Sequence, residues 1–96
     1  MKKFIFLYYG YVPLTAEVGE AWGKWFAANG SSFVDTGNPF SGGREVTRSG
    51  SRDLSGEASA MTGYSIVSAA SFEDAEKLLE GHPYVDAVRI YEAIPM

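Results

Sequence analysis

The chain runs Phe4-Ile5-Phe6-Leu7-Tyr8-Tyr9 without a polar break. This is the length and character of a strand buried on both faces, and it predicts a central position in a sheet. Gly10 and Pro13 close it. From Thr15, an N-cap residue, the apolar positions Val18, Ala21, Trp22, Trp25 and Phe26 recur at helical spacing, with Glu17, Glu20 and Lys24 on the other side. That helix is expected to stop at Gly30, and Gly19 and Gly23, one turn apart, suggest close packing along it or room for a ligand. Ser32-Phe33-Val34-Asp35 reads as a short strand ended by Gly37-Asn38-Pro39, with Arg44 to Arg48 as a return strand. From Ser49 to Met61 the chain is rich in Ser, Gly and Ala without apolar period and reads as a surface loop. Tyr64 to Ala70 is a strand, and Ser71-Phe72-Glu73-Asp74 has the form of a capping box. The helix it opens carries Ala75, Leu78 and Leu79 on its apolar side and ends at Gly81 and Pro83. A last strand, Val85 to Ile94, places Val88, Ile90 and Ile94 on one face and Arg89 and Tyr91 on the other.

Strand-helix-strand, loop, strand-helix-strand predicts an α+β fold: a ferredoxin-like βαββαβ sandwich, with both helices on one face of an antiparallel sheet. Helices then cover only one side of the first strand, yet Phe4/Phe6/Tyr8 and Ile5/Leu7/Tyr9 are both apolar or aromatic sets. Leaving two or three such side chains wet forfeits roughly 1.5 to 3 kcal/mol each. A second copy packed sheet to sheet is the simplest cover, so a homodimer is expected.

Composition narrows the classes further. At 96 residues and 46% apolar content the chain reads as one domain, 1–96. With no cysteine and one histidine, His82, cysteine-based sites and multi-histidine metal sites are excluded within one chain. The net charge of −4 argues against a nucleic acid partner. No apolar run approaches the ~20 residues of a membrane span. Lys2 and Lys3 imitate the start of a signal peptide, but Gly10 and Pro13 break the apolar core that should follow, and a cytoplasmic location is expected.

Four segments, Lys3-Phe4-Ile5-Phe6-Leu7-Tyr8-Tyr9-Gly10, Asp35-Thr36-Gly37-Asn38-Pro39-Phe40, Gly63-Tyr64-Ser65-Ile66-Val67 with Ser71-Phe72-Glu73-Asp74-Ala75, and His82-Pro83-Tyr84-Val85, together resemble the YCII-related family of the dimeric α/β-barrel superfamily. The resemblance implies a ferredoxin-like protomer, a homodimer whose sheets face one another, and a small cleft at the barrel. Some relatives look like enzymes built on a His-Asp pair whose histidine lies in the first helix, and at least one removes chloride from a chlorinated ring compound. Here that helix carries Trp22 and Trp25 and no histidine, so the pair does not carry over as a unit. Asp35 lies near the expected acid. The family's frequent Asp-Gly-Pro-Phe segment is replaced by Asp53-Leu54-Ser55-Gly56-Glu57.

Read from the residues, His82 at a helix end is a candidate general acid or base, although a histidine there is also favoured by the helix dipole alone. Asp35 could assist it, or simply shape a turn. Arg89 and Tyr91 are candidate substrate-binding residues, a guanidinium fork for a carboxylate and a phenol donor; an interface ion pair or a solvated edge strand is the competing reading. Phe6 and Tyr8 could line the same cleft, or serve as core. Arg44, Arg48 and Arg52 suggest either an anion-closing lid or solvated loop charges. No nucleotide-phosphate loop or GxSxG elbow is present, and no metal or cofactor is called for. The expected function is a homodimer binding a small organic acid or aromatic compound, with lyase- or isomerase-type acid/base activity that needs no cofactor. The alternatives are a non-catalytic metabolite-binding or accessory module and a purely structural dimer.

Overall fold

The apolar run near the start forms β1 (Lys2–Tyr9), one of two inner strands of its sheet. The computed structural model describes residues 1–10, 15–54, 61–83 and 86–96. The predicted break at Pro13, the stretch 55–60 of the predicted loop and the predicted strand start at Val85 lie outside the described residues. After β1 come α1 (Ala16–Ala28), a 3₁₀ turn at Gly30–Ser32, β2 (Phe33–Pro39), β3 (Arg44–Thr47), β4 (Gly50–Asp53), β5 (Met61–Ala69), α2 (Phe72–Lys77) and β6 (Ala87–Ala93). Among the described residues the fold is α+β: a four-stranded antiparallel sheet in the order β2-β5-β1-β6, two α-helices, and a separate β3-β4 hairpin.

The period of two along β1 decides where the core sits. Phe4, Phe6 and Tyr8 are buried, while Ile5, Leu7 and Tyr9 between them are half-buried. On β5 the residues paired with the buried rings are small: Val67 lies opposite Phe4, Ser65 opposite Phe6 and Gly63 opposite Tyr8. Those small side chains leave room for the rings of the helix layer. Trp25 of α1 is 3% exposed and packs on Phe6, Trp22 packs on Tyr8, and Phe72 of α2 meets Phe4 edge to face at 4.9 Å. Ala75, fully buried, brings α2 close with no bulk of its own. Both helices therefore lie on the face that carries the even-numbered residues of β1. With one layer of helices on one sheet, the molecule is a slab of 42 × 40 × 18 Å.

Both predicted N-caps are in place: Thr15 accepts from the Val18 amide at 3.2 Å, and Ser71 from the Asp74 amide at 3.2 Å. Other boundaries differ from expectation. Helix α1 ends at Ala28 and is capped by Asn29 rather than Gly30: the Asn29 amide and its side chain both donate to the Trp25 carbonyl. Gly23 is exposed with no atom near an added Cβ, and Gly19 is exposed too, so neither marks close packing. Strand β2 runs on through Gly37, whose φ of +88 and contact with the Tyr64 carbonyl leave no space for a side chain. The predicted loop from Ser49 contains β4, paired to β3 through Arg44–Asp53 at 3.5 Å and Glu45–Arg52 at 2.9 Å. Ile94, expected on the buried face of the last strand, lies beyond it and is 78% exposed.

Candidate functional site

His82 sits just past the turn that ends α2, where Gly81 adopts φ +76 and the His82 amide bonds the Leu79 carbonyl at 3.0 Å. The turn folds its imidazole inward, leaving 8% of the residue exposed. Tyr8 stacks on the ring at 4.9 Å, and Trp22 and Trp25 meet it edge to face at 4.6 and 4.3 Å. The indole of Trp25 donates to the Leu78 carbonyl at 2.6 Å, tying α1 to the end of α2 beside the histidine. Burial among rings disfavours the imidazolium and pushes the His82 pKa down to about 4, so the ring is neutral at physiological pH. An open groove of about 680 Å³ borders it, lined also by Leu79, Val88 and Ile90 and by the carboxylates of Glu76 and Glu80.

A polar chain crosses the covered face next to this cluster. The Tyr8 hydroxyl donates to Ser65 Oγ at 2.7 Å, and Ser65 Oγ donates to the Thr36 carbonyl at 2.6 Å, joining β1, β5 and β2. Burial raises the Tyr8 phenol to about 12, and the bond to Ser65 offsets only part of that rise. The phenol is a fixed hydrogen-bond group, not a proton source near neutral pH.

The opposite face has a different character. Strand pairing sets Tyr91, Ile5, Ile66 and Asp35 in one row across the sheet, and Arg89, Leu7, Tyr64 and Asn38 in the next. The central strands supply half-buried apolar and aromatic residues, and the edge strands supply exposed polar ones, Tyr91 being 53% exposed. The Arg89 guanidinium lies over the Tyr9 ring at 4.6 Å. Asp35 accepts from the Gly37 amide at 2.8 Å and from the Tyr64 hydroxyl at 3.0 Å, and Phe40 stacks on Tyr64. The bond to Gly37 is the turn-shaping role open to this aspartate. It fixes the irregular course of β2 at the same time as it aims the carboxylate over the sheet.

The six residues singled out in the sequence therefore divide into two groups. Phe6, Tyr8 and His82 lie on the covered face, whereas Asp35, Arg89 and Tyr91 lie on the open face. The sheet stands between His82 and Asp35, and between the Phe6/Tyr8 pair and the Arg89/Tyr91 pair. Two residues of consequence went unnoticed in the sequence. Ser65 was detectable as a polar residue at a buried position of an alternating strand, and Tyr64 as an aromatic one register away on the other face. Among the described residues, no group of three or more His, Cys, Asp or Glu side chains stands together as metal ligands, and no helix is long and apolar enough to cross a membrane. The chain matches no protein-family model, no curated protein and no solved structure.

Proposed function

We propose that the protomer is a ferredoxin-like βαββαβ sandwich of the YCII-related kind, that two copies pair through the open faces of their sheets, and that the chamber between them holds a small organic acid or aromatic compound. The fold reading is supported by the strand order β2-β5-β1-β6, in which two strand-helix-strand halves interleave, and by the placement of both helices on one face. Arg89 is the observation that carries the function. It is a guanidinium parked on a tyrosine ring at the margin of an apolar and aromatic surface, with Tyr91 beside it on the same strand. An arginine fork offers two parallel donors to a carboxylate, and the rings of Tyr9, Tyr64 and Tyr91 offer faces to an aromatic body.

Binding without chemistry is the better supported form of this reading. Acid/base work by His82 and Asp35 as a pair needs both groups on one reacting atom, and the sheet separates them. A neutral, ring-enclosed imidazole held near pKa 4 is also a weak base. Phe6 and Tyr8 belong to the core on this view, not to the chamber.

Sedimentation equilibrium across the micromolar range, joined to methyl NMR during a benzoate titration, tests the proposal. The expected result is a dimer whose Ile5, Leu7 and Ile66 methyl signals shift with ligand, and a shift that Arg89→Gln abolishes. A monomer at all concentrations, or methyl shifts confined to Leu79, Val88 and Ile90 around the His82 groove, overturns it.

A further inference from the structure

We infer that in this dimer Arg89 of each protomer meets the partner's Asp35, so that the two-fold axis runs along the strands and lays β2 over the partner's β6. The inference rests on the face-to-face pairing proposed above and adds which of its two symmetric arrangements forms.

Two opposite charges stand at opposite edges of the open face, with the exposed Lys3 on the inner strand β1 between them. Asp35 is on edge strand β2, held by the Gly37 amide and the Tyr64 hydroxyl; Arg89 is on edge strand β6, held over Tyr9. Each is exposed, and among the described residues neither has an ion-pair partner on its own chain. Two sheets can stack face to face about two kinds of two-fold axis. An axis across the strands sets β2 over β2 and β6 over β6, which places carboxylate near carboxylate and guanidinium near guanidinium. An axis along the strands sets β2 over β6 and opposes unlike charges twice. Like charges facing one another across an interface are costly, so electrostatics selects the second arrangement.

Register agrees with this choice. Rotation about an axis along the strands keeps each row at its own level, so the partner's Asp35 arrives in the row of Tyr91, one row from Arg89. That offset is about 7 Å along the strand, and stacked sheets lie ~10 Å apart, gaps that an extended arginine side chain spans in large part while the usual twist between sheets adjusts the rest. The guanidinium has five donors, so one edge can hold the partner's Asp35 while another remains for a carboxylate ligand.

The test uses the absence of cysteine from the chain. With a short bis-maleimide, a mixture of R89C chains and D35C chains is expected to give a cross-linked dimer, while R89C chains alone give none. Cross-linking of R89C chains to themselves, or failure of the mixture to link while both variants still sediment as dimers, overturns the inference and leaves the face pairing standing. In a second measurement, R89D is expected to weaken dimerisation by about tenfold or more, and D35R added to R89D to recover most of it. Single effects that merely add in the double variant overturn the pairing. A Leu7→Arg variant that dimerises like wild type overturns the face pairing itself.

Discussion

Phe6 and Leu7 are neighbours on β1, similar in size and hydrophobicity, yet the fold treats them oppositely. Phe6 points into a layer of indole and phenyl rings and is fully buried, whereas Leu7 points to the other side and keeps part of its surface exposed. The same division holds across the whole sheet. On the covered face, polar groups are few and spoken for: Tyr8, Ser65 and Thr36 bond in a chain, and His82 is boxed by rings. On the open face, polar groups are arranged around an apolar centre and point outward. An alternating strand thus gives one set of residues to the core and leaves the other on the second face of the sheet, with the period of two keeping them apart.

The largest expected effect separates these neighbours. Phe6→Ala removes a ring from a filled core and should cost about 3 to 5 kcal/mol, while Leu7→Ala should cost the folded protomer only about 1 kcal/mol and act mainly on association. Urea unfolding at protein concentrations below the dissociation constant of the proposed dimer measures both. Equal losses would mean that the two faces are equally part of the core.

The next effect concerns His82 and pH. Its pKa is near the usual 6.5 when unfolded and about 4 when folded, so the folded state favours the neutral ring. Above pH 6.5 neither state is protonated and the group contributes nothing to the pH dependence. Between 6.5 and 4 only the unfolded chain takes the proton, so stability falls by on the order of 3 kcal/mol, and below 4 the loss is complete. The difference in unfolding free energy between wild type and His82→Gln should follow that course, and the imidazole signal of the only histidine should titrate near pH 4 by NMR. A midpoint near 6.5 would move His82 from the buried face to the accessible surface. Smaller still, Ser65→Ala leaves the buried Tyr8 hydroxyl without its partner and removes the bond to the Thr36 carbonyl, and should cost about 1 to 3 kcal/mol in the same urea assay.

How far the sequence foretold this division depends on which force builds each part. Strand β1, both helix caps and the apolar side of α1 follow from local spacing, and so were legible, whereas α2 stops at Lys77, before the Leu78 and Leu79 expected on its apolar side. The β3-β4 hairpin was half missed because it is held by cross-strand charge pairs, Arg44 with Asp53 and Glu45 with Arg52, and carries no apolar alternation. The extension of β2 was hidden by Gly37 and Asn38, which read as a turn but here sit in a strand with two register shifts. For the candidate site, period two correctly set Arg89 and Tyr91 apart from Val88 and Ile90. It could not say that the turn after α2 would fold His82 toward Tyr8, Trp22 and Trp25, since that depends on contacts between distant segments.

The smallest prediction tests the outer surface of the helix layer, where the comparison of faces implies that nothing binds. Gly23 is exposed on α1, its φ is not in the left-handed region, and an added Cβ would meet no atom within 4 Å. Alanine there gains helix propensity and restricts the unfolded chain, and should raise stability by about 0.5 to 1 kcal/mol. Because the methyl group would project away from the sheet, the dissociation constant of the proposed dimer should stay at its wild-type value. Urea unfolding and sedimentation of one Gly23→Ala sample read both quantities. A gain in stability with unchanged association leaves the open sheet face as the surface for partners, whereas weakened association would place a second copy against the helices instead.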